Sequence, residues 1–228
     1  MVKLMLVFYM ENKVGNFRYI VERNRLRRLI SNVNWRYYRQ DLIQRLKAVV
    51  DGFNKNEFLL TVHENSVKTT PLVEGNDSIA VRFFFQSTNI VYHTNEYQEF
   101  DYETGAALVF SHSDVGFDTV FLYPAKSKQS GADYKKLIVY HNLNGARFSD
   151  KTVRKLFNYL CLYHRYTSVL FESTPFLRLQ ISLLRFRSFF YEYLDSENKL
   201  KYSSGIYIPL ASLFVSAVAL IVALIALK

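Results

Sequence analysis

The sequence predicts an α+β fold: an antiparallel β-meander flanked by N-terminal and C-terminal helix pairs, plus one C-terminal transmembrane helix. Three observations support this prediction. Helical spacing of apolar residues marks 18–52 and 150–196, and short β-branched and aromatic segments fill 57–141 between them. Because no helical pattern separates these segments, a meander is favoured over a doubly wound sheet. Finally, residues 206–227 contain no charged residue.

The N-terminal region predicts a strand followed by two helices. Residues 3–9 read as a short buried strand, and a basic helix is expected over about 18–33. Asn34 is the expected N-cap of the second helix, and Gly52 lies where that helix should stop. Apolar residues recur in this second helix at three- and four-residue intervals: Trp35, Tyr38, Leu42, Leu46, Val49 and Phe53.

Five short segments are predicted as strands, each bounded by clusters of turn-forming residues. They are Phe58–Val62, Ile79–Phe85, Ala107–Ser111, Thr119–Tyr123 and Lys136–His141. The distance between the third and fourth segments suits a β-hairpin.

Two helices are predicted after the strands. Ser149 or Asp150 can cap the first, which should run to about Glu172. Thr174 is the expected cap of the second, with Pro175 in its first turn. This second helix, to about residue 194, is rich in Leu, Phe and Arg. It either belongs to the domain core or lies in the membrane interface, and the core is favoured because Leu and Phe surround much of it.

The apolar run predicts a membrane anchor and with it the domain organisation. We expect a cytosolic domain over 1–200, a hinge at 201–205 and a transmembrane anchor over 206–228. Only Lys228 follows the run, so the protein is expected to be tail-anchored. The N-terminal flank holds four basic residues that favour a cytosolic N-terminal domain: Arg185, Arg187, Lys199 and Lys201.

Small residues follow a regular spacing within the anchor, at intervals of four, three, four and three. They are Ser212, Ser216, Ala219, Ala223 and Ala226. Small residues let transmembrane helices approach closely, so this pattern predicts self-association into a homo-oligomer. The alternative is a chance alignment, because Ala and Ser are common in membrane helices.

The net charge of +9 is unevenly distributed. Residues 18–47 carry +7, residues 57–118 carry −8 and residues 126–201 carry +8. A basic surface is predicted on the N-terminal helices, for lipid, nucleic acid or an acidic partner: Arg23, Arg25, Arg27, Arg28, Arg36 and Arg39. Nucleic acid is the weaker choice, because these arginines can instead face the acidic middle of the chain.

The sequence indicates no catalytic residue, no metal ligand and no cofactor. The five histidines are scattered, Cys161 is the single cysteine, and no glycine-rich phosphate loop is present. Two weaker candidates are a carboxylate face formed by Glu99, Asp101 and Glu103, and the local run from Ser111 to Asp114 around His112.

These observations predict a single-pass membrane protein whose cytosolic domain binds a partner or ligand and whose anchor self-associates. The layout fits a membrane-perturbing effector of the bacterial, antiviral defence type, by analogy of architecture alone. The alternative is a membrane-tethered enzyme, such as a metal-dependent nuclease or hydrolase.

Overall fold

A computed structural model of the protein describes residues 2–54, 59–65, 76–93, 98–131, 134–142 and 145–192, together with Ser216; side chains are described from Phe17 onward, except those of Asn65, Asn76 and Glu192. The helices are α1 (Val2–Asn54), α2 (Asp150–Thr167) and α3 (Pro175–Glu192). The strands are β1 (Leu60–Asn65), β2 (Asn76–Phe83), β3 (Gln86–His93), β4 (Gln98–Glu103), β5 (Ala107–Ser113), β6 (Phe117–Tyr123) and β7 (Leu137–Asn142). The predicted α+β class is confirmed.

The N-terminal region is one long helix, so two predictions for it are wrong. Residues 3–9 are helical rather than a strand, and no helix boundary occurs at Asn34. A short apolar run does not distinguish a strand from a buried helix, which explains the first error. No proline occurs in α1 to break the helix, so the helical pattern continues through Asn34. The predicted stop at Gly52 lies two residues before the observed end.

The main sheet is an antiparallel meander of five strands in the order β1-β2-β5-β6-β7. The predicted hairpin is confirmed as β5 and β6, with Ser111 opposite Thr119. Between β2 and β5 the chain forms a separate hairpin of β3 and β4, and neither of these strands is among the five that were predicted. Because β3 and β4 form their own sheet, β2 pairs with β5 in the main sheet, and this pairing is still antiparallel.

The core lies between the sheet and the helices. α1 contributes Leu42, Ile43 and Leu46, and α2 contributes Leu160 and Tyr163, all of them at most 2% exposed. Burial of each large apolar side chain stabilises the fold by about 1.5–3 kcal/mol. In contrast, none of the α1 side chains from 17 to 30 is buried.

The helix caps of the C-terminal half match the prediction. The Ser149 hydroxyl accepts a hydrogen bond from the Thr152 N–H at the start of α2. Thr174 Oγ1 accepts one from the Leu177 N–H at the start of α3. α2 ends at Thr167, five residues before the predicted Glu172, because the chain leaves the helix at Ser168 in an extended conformation.

α3 packs along β7, which is an edge strand of the sheet. The buried Ser188 hydroxyl accepts a hydrogen bond of 2.8 Å from the Ile138 N–H of β7. Exposed N–H groups on an edge strand invite pairing with another chain. The helix therefore satisfies part of that edge and is fixed to the sheet at the same time.

Candidate functional site

α1 crosses two glycine-containing loops at Arg28 and Ser31, and we call this region the α1 junction. Gly116, in the turn between β5 and β6, has φ +79°, and Gly145, before α2, has φ +56°. A Cβ atom on Gly145 would lie 2.7 Å from Ser31 Cα, which is closer than real contacts allow. Glycine is therefore needed for the backbone conformation and for the close approach of the helix.

A buried histidine lies at the centre of the α1 junction. His112 Nδ1 lies 2.6 Å from Asp118 Oδ1, and His112 Nε2 lies 2.9 Å from Asn32 Oδ1. The Asn32 amide nitrogen donates to the Asp114 carbonyl at 3.2 Å, which leaves its oxygen to accept from the histidine. Each ring nitrogen thus lies within hydrogen-bond distance of a side-chain oxygen, one on Asp118 and one on Asn32.

Trp35 joins this histidine to the acidic strands. Its ring stacks on His112 with centroids 5.0 Å apart and an interplanar angle of 5°. Its indole N–H donates to Asp77 Oδ2 at 2.9 Å. Arg39 forms ion pairs with Asp77 at 2.9 Å and with Glu64 at 3.3 Å. The middle of α1 is therefore held on β1, β2, β5 and β6 by polar contacts as well as by burial.

The predicted basic surface divides into two groups. Arg27 donates to the carbonyl of Gly116 at 3.3 Å and lies over the Phe117 ring at 4.8 Å, while Arg39 forms the ion pairs just described. These two arginines attach α1 to the sheet. The other four lie on exposed positions of α1: Arg23, Arg25, Arg28 and Arg36.

α1 also exposes a row of large apolar side chains, which we call the α1 stripe. Its members are between 48% and 80% exposed: Tyr19, Leu26, Leu29, Ile30, Val33 and Tyr37. Their spacing places them on the side of the helix opposite the buried Trp35 and Leu46. Contiguous exposed apolar surface of this kind is typical of interaction sites.

α3 has an apolar surface on both sides. Leu177, Ile181 and Leu184 are buried against the rest of the domain. On the opposite side, five residues are between 42% and 68% exposed, and we call them the α3 outer face: Phe176, Leu179, Leu183, Phe186 and Phe189. The inner side of the helix belongs to the core, as favoured from the sequence. The side chains of the outer face are exposed.

Arginines line the α3 outer face. Arg178 and Arg185 are exposed, and the Arg185 guanidinium lies 5.3 Å from the centroid of the Tyr166 ring. Arg187 is half-buried and donates to the hydroxyls of Tyr191 at 2.7 Å and Tyr159 at 3.4 Å. Of the predicted juxtamembrane residues, Lys199 and Lys201 lie outside the described residues.

The local run around His112 does not form a catalytic triad. Ser111 lies on the opposite face of β5 from His112, since side chains alternate along a strand. The acid that contacts the histidine is Asp118, and only the backbone carbonyl of Asp114 enters the cluster, through Asn32. His112 is 6% exposed, with both ring nitrogens occupied.

The three carboxylates of the predicted face do not form one site, because each contacts a different partner. Glu99 pairs with Lys128, Asp101 accepts from the Thr88 hydroxyl, and Glu103 accepts from the Val169 N–H. Within the described ranges, no three His, Cys, Asp or Glu residues are grouped to hold a metal ion. Burial raises the pKa of Cys161 to about 11, so its thiol is protonated at neutral pH and is a weak nucleophile.

Three important junction residues were not identified from the sequence. They are Asn32, Asp77 and Asp118. The hairpin register offered a signal for Asp118, because extending the predicted strands by one pair places His112 opposite it. Asn32 and Asp77 have no comparable local signal, since they reach this region from a helix and a distant strand.

His164 gives the domain a predicted acid sensitivity. Burial lowers the pKa of His164 from 6.5 to about 4 in the folded protein, where Phe83 stacks on its ring at 4.0 Å. The unfolded chain takes up a proton as the pH falls below 6.5, but the folded chain does not until about pH 4. The contribution of His164 to the free energy of unfolding is therefore fully present above pH 6.5. It is lost progressively as the pH falls toward 4, by about 3 kcal/mol in all.

A His164→Phe variant supplies the control for this effect. Phe keeps an aromatic ring beside Phe83 and Phe171 and does not titrate, but it removes the acceptor of the Ala106 N–H, so the dependence of stability on pH is compared rather than stability itself. Denaturant unfolding at pH 7, 5.5 and 4.5 should show a flatter stability profile for the variant than for the parent. Equal slopes would show that His164 does not cause the acid loss. Burial also lowers the pKa of His141, but His141 is present in both proteins and cancels in the comparison.

The predicted anchor, 206–228, lies outside the described residues except for Ser216, which is helical and exposed. The hinge at 201–205 and the other small residues of the predicted self-association pattern lie outside them as well. Within the part of the chain that is described, no helix is long and apolar enough to cross a bilayer.

No protein-family model matches the chain, and no curated protein or solved structure is similar to it.

Proposed function

We propose that the protein is a single-pass membrane protein anchored by residues 206–228, with its α+β domain on the cytosolic side. The observation that carries this proposal is the uncharged run of residues 206–227. As a helix it would be about 33 Å long, which is sufficient to cross the hydrocarbon core. Arg185 and Arg187 on the N-terminal flank support the orientation, together with Lys199 and Lys201.

The domain binds a protein partner through the α1 stripe. Exposed apolar residues at three- and four-residue spacing suit a helix that packs alongside α1. Arg23 and Arg36 are exposed beside the stripe, one on each side of it by helical spacing; they repel a second copy in parallel alignment and favour a partner with acidic flanks. α1 is thus proposed as the arm that receives an external signal.

The anchor self-associates through its small residues, Ser212, Ser216, Ala219, Ala223 and Ala226. Close helix packing at these positions would bring several anchors together in the bilayer. A partner that binds α1 could control this clustering, which is the arrangement expected of a membrane-perturbing effector. No grouping of the described residues favours the alternative of a membrane-tethered enzyme.

The decisive experiment measures membrane extraction and oligomer size of the full-length protein. Alkaline carbonate should leave the protein in the membrane pellet, and detergent should release it as an oligomer. The double change Ala219→Ile and Ala223→Ile should keep it in the pellet but reduce the detergent-solubilised particle to a monomer, because the bulky side chains separate the helices. Particle mass is read by light scattering.

A matched variant changes the α1 stripe instead, with Leu29→Glu and Val33→Glu. The oligomer should survive these changes, because the stripe is assigned to a different protein. Dissociation by the α1 changes alone would assign self-association to α1 and refute the anchor model. Release of the parent protein by carbonate would refute membrane anchoring itself.

A further inference from the structure

α3 lies close to the proposed anchor along the chain. It ends at Glu192, and only residues 193–205 separate it from the apolar run. Thirteen residues span at most about 45 Å even when fully extended. Whenever the proposed anchor is inserted, α3 therefore lies within that distance of the bilayer. The inference below rests on that proposed anchor.

The chemistry of the α3 outer face matches a lipid surface. Phe176, Leu183 and Phe186 lie on one side of the helix at intervals that keep them aligned, and all are more than half exposed. Arg178 and Arg185 are exposed and lie together along one edge of this row. Helices that lie in a membrane interface combine these features: apolar side chains enter the acyl boundary while basic ones meet anionic headgroups.

We propose that the α3 outer face binds the surface of an anionic bilayer. The inner side of α3 is packed on the domain through Leu177, Ile181 and Leu184, and Ser188 bonds to β7. Lipid binding by the outer face therefore holds the whole sheet at one orientation to the membrane. It would give the domain a second attachment to the membrane besides the anchor, with α3 against the bilayer.

Arg187 takes no part in this binding. Its guanidinium already donates to the hydroxyls of Tyr191 and Tyr159, and it is half-buried. The lipid contacts are assigned to Arg178 and Arg185. The Arg185 stacking on Tyr166 orients its guanidinium without using up its N–H groups.

A spin-label experiment on the full-length protein tests this assignment. The native thiol is removed by Cys161→Ser, and Phe186→Cys carries a nitroxide. Lys151→Cys, on an exposed position of α2, is the matched control. Each protein is reconstituted into phosphatidylcholine vesicles with and without phosphatidylglycerol. Collision of the label with oxygen, which concentrates in lipid, is compared with collision with a water-soluble nickel chelate. Circular dichroism melting shows that each variant folds like the parent.

We expect the oxygen-to-nickel ratio at position 186 to be several-fold higher than at position 151 in phosphatidylglycerol vesicles. The difference should shrink without the anionic lipid, and also after Arg178→Gln and Arg185→Gln. If the vesicles carry the protein on flotation but the label at 186 stays in water, the α3 assignment is wrong and the anchor stands.

Two further outcomes also overturn the assignment. A label shielded from both reagents, with spin–spin broadening, would show that a second copy covers the outer face. If the protein does not float with the vesicles at all, the proposed anchoring fails and this inference fails with it.

Discussion

Replacing Asp118 with Ala is expected to lower the free energy of unfolding by about 3–5 kcal/mol. Asp118 is 2% exposed and lies 2.6 Å from the ring of His112, which is itself 6% exposed. Without the carboxylate, His112 would keep a buried ring nitrogen with no partner at the centre of the α1 junction. Urea unfolding of the detergent-solubilised protein, followed by circular dichroism, measures the loss.

Asp118→Asn is the matched control for this prediction. Its amide carries no charge but can still form a hydrogen bond with His112 Nδ1, and the contact of His112 Nε2 with Asn32 is kept. The loss should therefore be about 1 kcal/mol, the contribution of an ordinary hydrogen bond. If Asn costs as much as Ala, an uncharged amide cannot replace the carboxylate, and the expectation that an ordinary hydrogen bond is sufficient at this position is wrong.

Replacing Gly145 with Ala is expected to cost about 3 kcal/mol or more. The new methyl group would lie 2.7 Å from Ser31 Cα and 2.9 Å from its carbonyl oxygen, so α1 would have to move. The backbone at this position also has φ +56°, which disfavours residues with a side chain. The same unfolding measurement applies, and the melting temperature should fall with it.

Gly52→Ala is the control for the glycine prediction. Nothing lies within 4 Å of a Cβ at Gly52, which is in the last turn of α1. Ala favours a helix by up to about 1 kcal/mol over Gly, so this variant should match or exceed the parent in stability. Equal destabilisation by the two substitutions would contradict the steric argument at Gly145.

The regular elements were predictable where the information is local. Alternating residues and turn clusters identified the hairpin of β5 and β6, and hydroxyl side chains next to helical patterns located the caps at Ser149 and Thr174. β3 was not found, because its Gln, Ser, Thr and Asn residues lack the apolar alternation of a half-buried strand. Its partner is another strand of the same small hairpin rather than the core.

The α1 junction was not predictable because its parts come together only in the folded chain. Gly116 and Gly145 look like ordinary loop glycines until α1 is placed over them, about 85 and 114 residues away in sequence from Ser31. The arginines of α1 are indistinguishable in sequence, yet Arg27 and Arg39 attach the helix while Arg23, Arg25, Arg28 and Arg36 face outward. Only the folded chain brings a carbonyl or carboxylate partner to Arg27 and Arg39. Membrane insertion and self-association of 206–228 remain predictions.

Trp35 is the only tryptophan in the chain, and its ring lies flat on His112. The indole is only 5% exposed, so the emission of the native protein should lie at short wavelength while the α1 junction is closed. Any event that lifts α1 from the sheet would expose the ring to water and shift the emission to longer wavelength. The protein therefore carries a built-in optical probe of the contact through which a signal received by the α1 arm would have to pass.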